Sequence, residues 1–151
     1  MFFSVVIPLY NKAYSIKRCI DSVLNQSYTN FEIIVVNDGS KDSSLEIIKE
    51  YEKEDERIIV ISRENKGLIA TLNEGIEKAK GKYIARMDQD DISLSNRFEE
   101  QLKIMQNDKE IVICGSWINV FGENRKEKIS KYFQYDKEIK ANLIMSCCFA
   151  H

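Results

Sequence analysis

The chain has 151 residues, 44% apolar, 10% aromatic and 30% charged, which is the length of one domain with apolar material for one sizeable core. Lys+Arg 22 against Asp+Glu 24 leaves a net charge of −2, without the basic excess that nucleic acid as main partner would require. No apolar run approaches the ~20 residues of a membrane span, and residues 1–7 lack the basic region and small-residue cleavage site of a signal peptide.

Two scarcities exclude more. The single histidine, His151, is the last residue, which argues against a His-based triad or a multi-His zinc site. Cys19, Cys114, Cys147 and Cys148 show no CxxC spacing. A metal corner from Cys147, Cys148 and His151 is outweighed by the ordinary reading of these cysteines as buried thiols, which suits a reducing cytoplasm.

In chain order, apolar runs rich in β-branched residues stand at 3–7, 31–36, 58–61 and 83–87. Their starts lie 25 to 28 residues apart, the size of a parallel crossover, so the pattern predicts successive βαβ units. Between them, Ile16, Ile20, Val23 and Leu24 share a face of a first helix. A capping-box spacing over Ser43, Ser44, Leu45 and Glu46 opens a second, with Leu45, Ile48 and Tyr51 inward. Leu68, Leu72, Ile76 and Ala79 stripe a third, which Gly81 terminates. A fourth helix over 95–106 carries Phe98, Leu102 and Met105. Then follow an apolar strand at 111–114, a turn at Gly122-Glu123-Asn124, a hairpin strand and a helix over 136–145. The apolar ending Cys147-Cys148-Phe149-Ala150-His151 reads as a cut inside a domain.

In such a fold a ligand sits at the carboxyl ends of the strands. The first loop there, Pro8-Leu9-Tyr10-Asn11, is neither GxGxxG nor GxxxxGKS/T, which removes a dinucleotide-binding domain and a P-loop NTPase. Carboxylates stand at two other strand ends. Asp38 lies in Asn37-Asp38-Gly39-Ser40, and Asp88, Asp90 and Asp91 lie in Met87-Asp88-Gln89-Asp90-Asp91. Three carboxylates in four residues repel one another, and a divalent cation shared with phosphates would relieve that repulsion. Each piece alone also reads as an ordinary turn, a helix cap or a rim aromatic. Their coincidence at neighbouring strand ends favours a site.

Five ordered blocks carry a resemblance. They are Val5-Val6-Ile7-Pro8-Leu9-Tyr10-Asn11, Ser22-Val23-Leu24-Asn25-Gln26-Ser27-Tyr28, Phe31-Glu32-Ile33-Ile34-Val35-Val36-Asn37-Asp38-Gly39-Ser40, Asn65-Lys66-Gly67 with Leu72-Asn73-Glu74-Gly75-Ile76, and Ala85-Arg86-Met87-Asp88-Gln89-Asp90-Asp91. In this order and spacing the chain resembles the N-terminal part of the inverting family-2 glycosyltransferases, with Arg86–Asp91 most similar to bacterial members that build surface polysaccharide or lipo-oligosaccharide. The resemblance implies an α/β, Rossmann-like GT-A domain over 1–151, with a mostly parallel central sheet flanked by helices, truncated so that only the donor-binding portion is present. It implies that Pro8 and Tyr10 line the base pocket, that Asp38 accepts from uracil, that Asp88 lies near the ribose or donor sugar, and that Asp90 ligates Mn²⁺ or Mg²⁺ at the donor diphosphate. Lys66 either assists at the phosphates or is a solvated loop lysine.

The implied activity is metal-assisted transfer, with inversion, from a UDP-sugar to a saccharide or lipid-linked saccharide. The catalytic base is then expected beyond residue 151, and the isolated chain is also readable as a nucleotide- or metal-binding module without its own catalysis. The implied setting is the cytoplasm or the cytoplasmic face of the membrane, with peripheral membrane association of a longer protein and a homodimer as further expectations. Two departures stand out: Leu72 occupies a position where many members have Arg, and Ser95 one where Pro is common.

Overall fold

The computed structural model describes residues 3–122 and 125–149. The chain divides into two compact units, residues 1–100 and 101–151. The first unit runs β1 (Phe3–Leu9), α1 (Ile16–Leu24), β2 (Phe31–Asp38), α2 (Ser44–Glu54), β3 (Ile58–Arg63), α3 (Leu68–Lys78) and β4 (Tyr83–Arg86). Its sheet has the order β3-β2-β1-β4 with every pairing parallel, the α/β architecture that the βαβ spacing predicts. Among the described residues, no helix is long and apolar enough to cross a membrane.

Burial explains the composition of the strands. Every residue of β1 and β2 is buried, because central parallel strands are covered on both faces and so read as continuous apolar runs. Phe3 stacks on Phe98 at 5.2 Å between centroids, and Phe31 meets the same ring edge-on at 5.7 Å. Ile16, Cys19, Ile20 and Val23 form the buried stripe of α1. β1, β2 and β3 each run two residues past their apolar runs, so Asp38 and Arg63 are the last residues of their strands and face each other in register.

Three local expectations are corrected. Ser43 makes no side-chain cap at α2. Asp42 takes that role, its Oδ1 accepting from the Ser44 backbone N–H at 3.0 Å while Oδ2 accepts from the Ala13 N–H at 3.0 Å. On α3 the buried residues are Thr71 and Gly75, and Leu68 and Ile76 of the expected stripe are about half exposed. Gly75 lies so near Val6 that even a Cβ would strike it, with Val36 in contact distance; the helix is drawn against the sheet by its small residues, with Leu72 half-buried and Leu68 and Ile76 turned outward. Gly81 is not a left-handed helix stop. The helix ends in extended backbone at Ala79, and a Cβ on Gly81 would come 2.5 Å from the Ser4 backbone nitrogen.

α4 (Arg97–Asn107) starts in the first unit. The second unit contains β5 (Ile118–Gly122) and β6 (Arg125–Ser130), an antiparallel pair, followed by α5 (Asp136–Leu143). Residues 111–114, expected as a strand, are not one. Val112 and Ile113 are exposed, and strand propensity needs a paired, half-buried surface to be realised; in this unit the hairpin β5–β6 forms that pairing instead. Glu123 and Asn124 of the expected turn, and His151 of the cysteine–histidine grouping, lie outside the described residues.

Candidate functional site

The loops after β1, β2, β3 and β4 gather at the carboxyl end of the sheet and are laced together by side chains. Asn11, with φ of 50°, donates its N–H to Ser40 Oγ at 3.0 Å and accepts at Oδ1 from the Lys41 N–H at 2.7 Å. The Tyr10 N–H donates to Gln89 Oε1 at 2.7 Å, and Ser15 Oγ donates to the Gln89 carbonyl at 3.2 Å. The first loop is thus fixed both to the loop after β2 and to the acidic turn after β4. Gln26, buried at the end of α1, accepts from the Phe98 N–H at 3.1 Å and donates to the Leu94 carbonyl at 2.7 Å, anchoring the segment that follows the acidic turn.

Between these loops is a cavity of about 390 Å³. Pro8 and Leu9 line it from the end of β1, Tyr10 and Lys12 from the first loop, Asp38 from β2, Asn65, Gly67, Leu68 and Thr71 from the β3–α3 side, and Gln89 from the acidic turn. Pro8, Tyr10 and Asp38 of the expected set therefore share one cavity. Lys66 contributes its backbone N–H to Asp38, with an exposed side chain outside the lining. Asp88 and Asp90 stand outside the lining too, in the turn that supplies Gln89.

Asp38 is the most heavily bonded carboxylate of the site. Oδ1 accepts from the Arg63 guanidinium and from the Lys66 N–H at 2.8 Å, and Oδ2 accepts from the Gly67 N–H at 3.0 Å. Desolvation opposes its charge. The bonds from Lys66, Arg63 and Gly67 outweigh that penalty and hold the carboxyl below its ordinary range. An ionised carboxylate offers about four acceptor positions, so Oδ2 keeps capacity for another donor. Arg63 is held in turn by Glu74 at 2.6 Å and Thr71 Oγ1 at 3.0 Å.

The acidic turn is differently balanced. Asp88 pairs with Arg86 at 2.7 Å and Asp90 with Lys12 Nζ at 2.6 Å. Asp91 is pushed above the usual carboxylate range by desolvation and then by the charges of Asp88 and Asp90. Burial and then the same three aspartates push the Cys19 thiol up to about 12, so it stays protonated and donates to the Asp88 carbonyl at 3.3 Å. Among the described residues, no three His, Cys, Asp or Glu side chains group as a metal cage. A hard divalent cation would need oxygen ligands beyond one carboxylate here, as Mg²⁺-type sites completed by phosphates and water do. The ammonium seated on Asp90 and the guanidinium on Asp88 show that the turn accommodates positive charge.

Lys12, Arg63, Thr71 and Gln89 were not among the expected site residues. Arg63 had one usable signal, its place two residues after an apolar run, as Asp38 stands two residues after its own.

A parallel βαβ sheet with a cavity at its carboxyl end defines a Rossmann-like class of α/β domain. The chain belongs to glycosyl transferase family 2, whose sequence model matches residues 4–150. It is 41% identical over 137 residues to the uncharacterized glycosyltransferase MJ1057 of Methanocaldococcus jannaschii, covering 89% of this chain and 47% of that protein. It is 41% identical over 117 residues to glycosyltransferase GlyG of Streptococcus pneumoniae, covering 77% of this chain and 39% of that one. The structure of S. aureus TarS 1–349 in complex with UDP is similar with a TM-score of 0.66 at 26% identity, over 71% of this chain and 32% of that one; the same fragment is also known with UDP-GlcNAc. The fold is the GT-A fold. The chain spans less than half the length of each of these proteins.

Proposed function

We propose that this chain forms the donor-binding part of a glycosyltransferase that moves a sugar from a UDP-sugar to a saccharide or lipid-linked saccharide acceptor, with inversion and with a divalent cation. The observation that carries the reading is Asp38: an ionised, rigidly held carboxylate in the strand-end cavity with acceptor capacity remaining at Oδ2. The single ring N–H of uracil is a matching donor, and Pro8 and Tyr10 supply apolar and aromatic surface beside it. UDP and UDP-GlcNAc bound to TarS support the same donor class.

Asp90 is the residue we assign to Mn²⁺ or Mg²⁺, with Asp88 beside the ribose or donor sugar. A bound divalent cation would supply Lewis-acid neutralisation of the leaving diphosphate. The chain's own residues orient the donor: Asp38 fixes the base, and the lacing of residues 10–15 to Gln89 holds the acidic turn in place beneath it. Inversion needs a base to take the acceptor hydroxyl proton as it attacks. Asp38 and Asp90 are committed to base and cation in this reading, so we assign that base to a residue outside these 151.

Calorimetric titration with UDP, with and without Mn²⁺, tests the reading. UDP is expected to bind more tightly than GDP and to tighten further with Mn²⁺, and Asp90→Asn is expected to remove most of the Mn²⁺ gain. UDP affinity indifferent to a chelator in the unmutated chain would show the metal assignment to be wrong.

A further inference from the structure

The acidic turn already holds a cation of the chain's own. Lys12 Nζ lies 2.6 Å from Asp90 Oδ2 and 3.1 Å from the Tyr14 hydroxyl, and Lys12 also lines the cavity that contains Asp38. Its backbone is immobilised. The N–H donates to Ser44 Oγ at 2.8 Å, and the carbonyl accepts from the N–H groups of Ser15 and Ile16 at 3.1 and 3.0 Å, at the start of α1. The side chain is not so confined, with 27% exposure against 43% for Asp90. Lys12 is thus a fixed post carrying a long, rotatable ammonium between the carboxylate and the cavity.

We propose that Lys12 is the exchangeable counter-ion of Asp90: it occupies the carboxylate in the free protein, yields it to a divalent cation that enters with a nucleoside diphosphate, and then pairs with that diphosphate. The proposal rests on the assignment of Asp90 to the cation. An ammonium at hydrogen-bond distance from Oδ2 takes one of the approaches by which a divalent cation would bind that carboxylate, and the two positive charges repel. A lysine ammonium is a compact charge on a flexible stem and a common partner of phosphate oxygens. Released from Asp90, it has the entering diphosphate as its nearest new partner in the cavity it already lines. Lys12 therefore weakens binding of the cation alone and strengthens joint binding of cation and nucleotide, a positive coupling between the two ligands.

The experiment titrates MnCl₂ alone, followed by electron paramagnetic resonance of free Mn²⁺, and then UDP at saturating Mn²⁺ by calorimetry. It compares the parent chain with Lys12→Met, Lys12→Gln and Asp90→Asn, each checked for an unchanged melting temperature. Both Lys12 variants are expected to bind Mn²⁺ alone about two- to fivefold more tightly, the worth of a partly exposed ion pair, and to bind UDP with Mn²⁺ about fivefold more weakly. Asp90→Asn is expected to lose Mn²⁺ binding. Unchanged or weaker Mn²⁺ binding in the Lys12 variants, with binding lost in Asp90→Asn, would overturn the exchange while leaving Asp90 as a ligand. Tighter Mn²⁺ with undiminished UDP affinity would overturn the transfer to the diphosphate. Parent-like Mn²⁺ binding by Asp90→Asn would remove the metal assignment and the exchange together.

Discussion

Asp38→Ala is expected to lower stability by about 3–5 kcal/mol and to weaken UDP roughly tenfold or more. The stability loss follows from what the carboxylate leaves behind. The Asp38 and Arg63 side chains are only 6% and 12% exposed, and removing one partner of a largely buried pair is strongly destabilising; the guanidinium is left with the partly exposed Glu74 as its carboxylate partner. The N–H groups of Lys66 and Gly67 lose their acceptor at the same stroke. For a chain of this size the change corresponds to about 10–15 °C in melting temperature. The affinity loss is separate, from one hydrogen bond to a charged acceptor worth about 1.5–3 kcal/mol. The double variant Asp38→Ala/Arg63→Met separates the two, because it removes the guanidinium that has lost its more buried partner and leaves Glu74, which is 32% exposed: stability should recover in part and UDP affinity should not. Acid supplies a further check. The folded-state pKa of Asp38 is depressed, so its stabilisation is present above the unfolded value of about 3.9 and is lost as pH falls through the folded value. The stability gap between parent and Asp38→Ala should therefore close below about pH 4. A gap of similar size at pH 7 and pH 3 would contradict the ion-pair account.

The elements of this fold were legible where burial is simple. β1 and β2 are covered on both faces, so their continuous apolar runs located them. Asp38 and the acidic turn stood out because carboxylates directly after such runs are conspicuous. Lys12 and Arg63 did not, since the sequence separates Lys12 from Asp90 by 78 positions and Arg63 from Asp38 by 25, and only the strand order brings each pair together. Periodicity failed on α3 for a related reason. Leu68 and Ile76 are spaced for an inward face, yet Gly75 against Val6 and Val36 sets the helix so close to the sheet that the face is made of Thr71 and Gly75. Backbone proximity outranks hydrophobic pattern there, and one sequence shows no distance. Asp42 replaced Ser43 as the cap of α2 because its two oxygens also serve the loop after β1, a tertiary demand that a local capping rule omits. Residues 111–114 have the composition of a strand without a strand beside them.

Two glycines at opposite ends of the sheet give a paired test of how local the site is. Gly39 has φ of 73°, and a Cβ there would lie 2.9 Å from the Asn65 nitrogen and 3.3 Å from the Arg63 carbonyl oxygen. Gly39→Ala therefore combines a strained backbone with a clash against main chain, for an expected loss of about 2–4 kcal/mol. The clash falls on the segment whose next two N–H groups hold Asp38, so UDP affinity should fall as well, by about tenfold. Gly81 has no left-handed backbone, but its Cβ would meet the Ser4 nitrogen at 2.5 Å and the Phe3 carbonyl carbon at 2.6 Å. Its N–H donates to Ser4 Oγ at 2.8 Å, and Ser4 Oγ donates to the buried Glu32 at 2.6 Å, near the amino ends of β1 and β2. Gly81→Ala should cost about 1–3 kcal/mol through overpacking of β1, with UDP affinity unchanged at a temperature where the variant is fully folded. Thermal unfolding and calorimetry on the two variants decide the matter. Equal loss of affinity in both would mean that UDP binding reports the integrity of the whole sheet; loss in Gly39→Ala alone would tie it to the contact between residues 39 and 65 that shapes the Asp38 acceptor.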